Sequence, residues 1–294
     1  MIRFVAKVAV QRLLGAVPGG GSVYGWLQRR SILADLAADI RPKQRCALSY
    51  LDLLERHAGW SGPTIGTHLE MGSGWLPTIP LVFRRHGVAR QILTDIRPYL
   101  LPRALPAIGD VLDGRPIGTA APIGDMAAAT RWLADHGIVY HAPVRPPFPV
   151  ADGSVDLVTS TQILIYPPAG EVRALHEEAA RLLRPGGLYL GIVRLDDLYA
   201  LADPALPRFH FLRYSDATWR RWFDNPFAPL NRLRAADHRR LFEGLPFEPL
   251  LWRVDGGGPD DLEALRRSRP HRQYAGWDEA ELARTSLLFL LRRL

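Results

Sequence analysis

The sequence predicts an α/β protein built on a mostly parallel, doubly wound sheet, and three observations carry that expectation. From Thr64 onward, short apolar runs of strand length alternate with segments of helical periodicity, the pattern of a parallel sheet with helices on both faces. One such run ends in the turn Gly72-Ser73-Gly74 ahead of a helical segment, and the next run is closed by Asp95. The chain has 294 residues, 47% of them hydrophobic, with 8 tryptophans, which is ample for a large core.

Residues 1–63 read as an all-helical lid region ahead of a core spanning 64–294. Ile2 to Leu14 is apolar, but Arg3, Lys7, Gln11 and Arg12 break any signal-peptide core, and the run is too short to span a bilayer. Arg3, Lys7 and Gln11 recur at helical spacing beside Phe4, Val5 and Val8, which predicts a short basic amphipathic helix. Its favoured role is packing on the protein's own surface, with weak contact at a membrane surface as the alternative. Pro18-Gly19-Gly20-Gly21-Ser22 ends it. Tyr24–Ile40 and Pro42–His57 read as two further helices, with Leu27, Leu33, Leu36, Leu48, Leu51 and Leu54 on their buried sides.

In the core, strands are expected at Ile65–Met71, Gln91–Thr94, Ile138–His141, Val155–Ser160 and Leu188–Val193, with helices at Thr78–Arg85, Met126–His136 and Gly170–Leu183. Residues 195–237, rich in arginine and aromatic side chains, break the rhythm and read as an inserted cap. Phe247–Val254 and Ser286–Leu291 restore it as strands, separated by a glycine turn and a helix from Asp260 to Arg267.

Composition narrows the function. The single cysteine, Cys46, excludes an intrachain disulfide and a cysteine-rich metal site and fits a reducing, cytoplasmic setting; no metal is expected. The formal charge is +7, yet lysine occurs only at Lys7 and Lys43 and the arginines are scattered, which argues against a nucleic-acid platform. The same surplus biases the chain toward small anionic substrates.

The glycine turn has a chemical reading of its own. Gly72 and Gly74 lack a Cβ, so the backbone can turn sharply and a ligand can lie directly on it. A carboxylate closing the second strand, here Asp95, can accept both hydroxyls of a ribose, so the unit suits a nucleoside-bearing cofactor at the carboxyl edge of the sheet. A dinucleotide oxidoreductase would place a third glycine where this chain has Pro77, a residue tolerated in a first helical turn.

Four segments in order resemble the class I S-adenosylmethionine-dependent methyltransferases: Glu70-Met71-Gly72-Ser73-Gly74 with Asp95, the run from Phe148 to Val158 around Asp152-Gly153-Ser154-Val155-Asp156, the Leu183-Arg184-Pro185-Gly186-Gly187 turn, and the terminal pair of strands. The Gly-Ser-Gly-Trp-x-Pro form of the turn is similar to a bacterial subgroup. The resemblance spans residues 64–294 and implies a Rossmann-like, seven-stranded sheet with an antiparallel last strand and a cap after the fifth strand. It implies methyl transfer from S-adenosyl-L-methionine to a small-molecule acceptor, an anionic biosynthetic intermediate being the favoured kind. An RNA or protein acceptor, or a non-catalytic cofactor-binding protein, are the alternatives.

The resemblance also implies site roles. The backbone of Gly72, Ser73 and Gly74 would lie against the methionine part of the cofactor, Glu70 would face its amino end, Asp95 would hold the ribose, Ile96 would pack on adenine and Trp75 would wall the pocket. Gln162 and Tyr166 fall near the meeting point of cofactor and acceptor. Asp196 and His210 are candidate bases beside Tyr166, and Arg208, Arg213, Tyr214 and Arg232 of the cap would surround the acceptor. Two departures stand out: Leu76 occupies the usual third-glycine position, and His141 to Pro147 holds no carboxylate for the adenine amino group.

Overall fold

A computed structural model of the chain describes residues 2–225, 227 and 229–294, with the side chains of residues 2–5 and 202 outside the described set. Its centre is a seven-stranded sheet: β1 (Thr67–Met71), β2 (Arg90–Thr94), β3 (Ile138–His141), β4 (Val155–Thr161), β5 (Leu183–Arg194), β6 (Phe247–Gly256) and β7 (Arg284–Arg293). The spatial order is β3-β2-β1-β4-β5-β7-β6, and β7 runs antiparallel between β5 and β6. The strand order reverses between β1 and β4, the crevice where ligands bind in open α/β sheets. Met71, the last residue of β1, pairs with Thr94 of β2 and Ser160 of β4, so three strands end level at that point.

The helices are α1 (Ile2–Ala16), α2 (Gly20–Ala34), α3 (Leu36–Ala58), α4 (Thr78–Arg85), α5 (Leu105–Leu112), α6 (Met126–Asp135), α7 (Ala169–Leu182), α8 (Leu198–Ala202), α9 (Asp216–Trp222), α10 (Ala235–Arg240), α11 (Pro259–Ser268) and α12 (Glu279–Leu282). Strand alternation sorts the apolar residues onto two faces. Leu157, Leu188, Leu190, Leu288 and Leu290 pack beneath α3 and α4 with Tyr50, Leu54 and Phe83. Val158, Tyr189, Leu287, Phe289 and Leu291 face the other way, toward Val172, Ala179 and Leu182 of α7. Burying each larger side chain contributes about 1.5–3 kcal/mol, so the two faces hold the sheet rigid under the crevice.

The N-terminal helices differ from the expected boundaries. Asp35 breaks the chain and caps α3 by accepting from the Ala38 N–H, so Pro42 lies inside one long helix instead of starting a new one. That phase turns Leu27, Leu33 and Leu48 to solvent and half-buries Leu36 and Leu51, while Leu54 enters the core. Through Ala47, Tyr50 and Leu53, α3 shares the core of the sheet. In α1, Val8 and Gln11 turn inward, whereas Val10 and Leu13 are exposed. The expected positions Arg3, Phe4 and Val5 carry side chains outside the described set.

The cap has its own small core of Tyr199, Phe209, Phe211, Leu212 and Trp219, joined by Leu265 of α11. Arg234, almost fully buried, donates to the carbonyls of Leu195, Leu282 and Arg284 and so pins the exit of the cap to the edge of the sheet. Among the described residues, no helix is long and apolar enough to cross a membrane.

Candidate functional site

The two glycines after β1 do different work. Both have left-handed backbones, with φ of 75° at Gly72 and 64° at Gly74, where a side chain costs about 1 kcal/mol or more. At Gly72 the Gly72 and Ser73 N–H groups donate to the Thr94 carbonyl at 2.8 and 3.2 Å. A Cβ on Gly72 would sit 2.3 Å from Cγ2 of Ile163, so this glycine admits the loop after β4, not a ligand. A Cβ on Gly74 would meet no atom within 4 Å. The open floor for a ligand is therefore at Gly74.

Asp95 faces that floor from the end of β2. Its Oδ2 accepts from the Gly74 N–H at 2.8 Å and its Oδ1 from the Arg97 N–H at 3.3 Å. Burial pushes its carboxyl upward and the backbone bonds from Gly74 and Arg97 oppose that. A carboxylate has about four acceptor positions, so two donors leave room for a diol. Beside it, Ile96 is 52% exposed and offers an apolar surface at the rim.

Glu70, one residue before the end of β1, is buried, and its Oε2 has no partner among the described residues. Burial raises its pKa to about 8; Lys43 pulls it down and Asp95 pushes it up. Lys43 comes from α3 and its Nζ donates to the Leu76 carbonyl at 3.1 Å. Burial lowers the Lys43 pKa, opposed first by Glu70. Ser73 Oγ, just past β1, and Thr78 Oγ1, at the start of α4, are likewise buried without partners among the described residues. A buried polar atom left unpaired costs about 1–3 kcal/mol, so this concentration marks a place built to receive a polar ligand.

Aromatic side chains roof the crevice. Trp75 packs on Tyr99 with ring centroids 4.9 Å apart, and the Arg29 guanidinium lies 5.8 Å from its ring. Tyr24 of α2 stacks on Phe227 of the cap at 4.3 Å, and its hydroxyl accepts from Gln11 at 2.9 Å and Gln28 at 2.7 Å. Burial, then the neighbouring Tyr24 and Tyr99, raises the Tyr166 phenol, so it stays protonated and serves as a hydrogen-bond group, not a base. Asn231 holds the Tyr166 loop by donating from Nδ2 to Leu164 and Pro167 carbonyls at 2.6 and 2.8 Å.

A cavity of about 620 Å³ opens beside the crevice, over the end of β5 and the start of β7. Gln162, Arg194, Asp196, Asp197, Arg208 and Ser286 are among its walls. Gln162, with φ of 62°, turns its Oε1 to the Arg194 N–H at 2.7 Å. It therefore lines the cavity, with its side-chain oxygen turned to the β5 backbone. Arg194 pairs with Asp196 at 3.3 Å, and Arg208 pairs with Asp261. Burial raises the Asp196 carboxyl; Arg194 and then Arg208 oppose it.

Three expected cap residues lie elsewhere. His210 is 2% exposed, its Nε2 3.2 Å from the Tyr214 hydroxyl and its Nδ1 3.6 Å from Asp197, and it does not line the cavity. Arg232 is spent on structure: it donates to the Phe211 and Tyr214 carbonyls at 2.9 and 2.8 Å, pairs with Asp216 and lies over Trp219. Arg213 points to solvent. The residues that sequence reasoning missed are Lys43, Arg194 and Tyr24. Lys43 had a signal, being one of two lysines in an arginine-rich chain. A compact ammonium suits a place beside a buried carboxylate where a guanidinium fork would not fit.

Residues 124–191 match the family model described as a methyltransferase domain. No curated protein matches the chain by sequence. Among solved structures, the PH0226 protein from Pyrococcus horikoshii OT3 is similar, with a TM-score of 0.50 and 14% identity over 85% of this chain and 91% of that one. A geranyl diphosphate C-methyltransferase from Streptomyces coelicolor A3(2), in complex with Mg2+, geranyl diphosphate and S-adenosyl-L-homocysteine, gives a TM-score of 0.47 and 15% identity over 84% of this chain and 78% of that one. At such identities the likeness is one of fold. The matched segment runs from α6 to β5 and includes the Asp-Gly-Ser-Val-Asp and Arg-Pro-Gly-Gly motifs. The chain thus carries a segment similar to a methyltransferase domain, set in a sheet whose strand order reverses at the glycine turn.

Proposed function

We propose that the protein transfers a methyl group from S-adenosyl-L-methionine to a small polar acceptor lodged in the cavity over β5 and β7. The observation that carries this reading is the set of polar groups around Gly74. Asp95 stands on one side with acceptor positions to spare, and the buried Glu70 carboxyl and the Lys43 amine stand on the other, with unpartnered hydroxyls nearby. That donor set fits a ligand with a diol at one end and an ammonium and a carboxylate at the other. Ile96 offers the apolar rim for a purine.

When bound, the cofactor supplies an already activated methyl sulfonium. The chain's own residues then need to bind, orient and exclude water. Asp95, held by the Gly74 and Arg97 N–H groups, fixes the ribose end without rearranging. Glu70 and Lys43 fix the amino-acid end. Tyr24, Tyr99 and Tyr166 close the roof, and Tyr166 can donate a hydrogen bond to the acceptor. Asp196, raised by burial and set in the cavity wall, is the group we assign to accept a proton from the acceptor.

The cavity wall qualifies the expectation of an anionic acceptor. Arg194 and Arg208 already have carboxylate partners, so their charge is balanced locally. The fitting acceptor is a small molecule with both donors and acceptors, and any anionic group on it would be met by Arg208, the more open of the two.

Calorimetric titration with S-adenosyl-L-homocysteine tests the cofactor part. Hydrogen bonds to a charged group contribute about 1.5–3 kcal/mol each, so Asp95→Ala should weaken binding by at least about tenfold. No heat with the wild-type chain at high ligand concentration would sink the proposal.

A further inference from the structure

We infer that the α1–α2 hairpin docks the protein on an anionic lipid surface. The two helices pack against each other, and each carries a second apolar stripe on the side away from the protein. On α1 the stripe is Val10 and Leu13, at positions i and i+3, continued by Val17 just beyond the helix end. On α2 it is Val23, Trp26, Leu27 and Leu33. These seven side chains are 42–65% exposed, while Val8 and Gln11 of α1 are buried and Tyr24 of α2 is half-buried. Val8 packs into the cap core, and Gln11 bonds to Tyr24 and Tyr199. The outward stripes are thus additional to what folding needs.

Charge identifies the occupant. Residues 1–34 contain Arg3, Lys7, Arg12, Arg29 and Arg30 and no aspartate or glutamate. Arg30 falls within the α2 stripe, its guanidinium 5.5 Å from the Trp26 ring. Arg12 donates to the Arg221 carbonyl at 2.6 Å, which joins the hairpin to a second pair of the same kind, Arg221 over Trp222 at 5.3 Å. Trp222 is 56% exposed. Asp224 faces Arg12 and Arg220 and offsets part of this charge. Exposed tryptophans flanked by arginines, on helices too polar to insert deeply, suit the headgroup region, where each cation contributes about 1 kcal/mol on an anionic leaflet. A second copy of the chain fits poorly, because a two-fold contact through this face would set Arg30 and Arg221 against like charges. The inner face of α2, through Tyr24, roofs the crevice, so docking would bring the site to the lipid surface.

Flotation of the full chain with phosphatidylcholine vesicles, with and without phosphatidylglycerol, tests this. The expected result is flotation only with phosphatidylglycerol and its loss at high salt. Arg30→Gln should lower the partition coefficient about fivefold and Trp26→Ala about tenfold, the latter with a blue shift of tryptophan emission lost. Leu13→Glu with Trp26→Glu should abolish flotation while the affinity for S-adenosyl-L-homocysteine, read by calorimetry, is kept. If the double variant does not keep that affinity, the single changes carry the test. Absence of flotation with phosphatidylglycerol overturns the inference. So does a wild-type dimer in sedimentation velocity that Trp26→Ala dissociates, since that would show the face covered by a second copy.

Discussion

Glu70 gives the sharpest prediction, because its burial sets a proton count. With a pKa raised to about 8 by burial, roughly ten molecules in eleven hold Glu70 protonated near pH 7. A ligand ammonium placed against it favours the carboxylate, so binding of S-adenosyl-L-homocysteine near pH 7 should release about 0.9 proton. Ionisation opposes binding by about 1.4 kcal/mol at that pH, one pH unit below the pKa. Affinity should therefore rise about tenfold between pH 6 and pH 7, a window below the range where the ligand's own amino group titrates. Calorimetry in buffers of different ionisation enthalpy reads the proton release directly. In Glu70→Gln the release should vanish. Because a charged hydrogen bond contributes about 1.5–3 kcal/mol against that 1.4 kcal/mol cost, affinity near pH 7 should fall by no more than about tenfold. A binding enthalpy independent of buffer, with affinity flat from pH 6 to pH 7, would refute the reasoning; so would full proton release from Glu70→Gln.

Other expectations rest on separate parts of the structure. Gly72→Ala drives a Cβ into Ile163 and should cost about 1–3 kcal/mol of stability, seen as a lower denaturation midpoint. Gly74→Ala should cost only about 1 kcal/mol of stability but lose most cofactor affinity, because its Cβ enters the open floor; the reverse pattern would assign the floor to Gly72. His68 and His238 are buried and held neutral, each with a pKa lowered to about 4, and burial depresses His176 as well. For groups depressed on folding, the stabilisation is complete above the unfolded value near 6.5 and is lost as pH falls toward 4. Thermal melting should therefore drop steeply between those values. His238→Leu should flatten the drop; an unchanged slope would count against a buried neutral imidazole.

Much of the fold was legible because buried strands and glycine turns leave local marks. Leu69 to Asp95 reads as strand, turn, helix and strand without knowledge of anything distant, and the structure brings Glu70, Gly74, Asp95 and Ile96 to one crevice. Features set by packing were not legible. Lys43 meets Glu70 only because α3 lies across the sheet with Tyr50 and Leu54 inward, and that phase is decided by the Asp35 cap, not by the more conspicuous Pro42. The arginines of the cap look alike in sequence. Arg232 and Arg234 turn out to satisfy backbone carbonyls, while Arg194, on an ordinary strand end, faces the cavity. His210 looked like a base by residue type, but buried contacts with Asp197 and Tyr214 occupy its ring.

The most direct measurement is a crystal structure of the chain with S-adenosyl-L-homocysteine. The expected result places the ribose hydroxyls on the Asp95 carboxylate and the amino-acid end between Glu70 and Lys43, with the sulfur directed toward the cavity at Gln162 and Asp196. Density for the ligand outside the crevice, or an Asp95 carboxylate turned away from the sugar, would contradict the assignment.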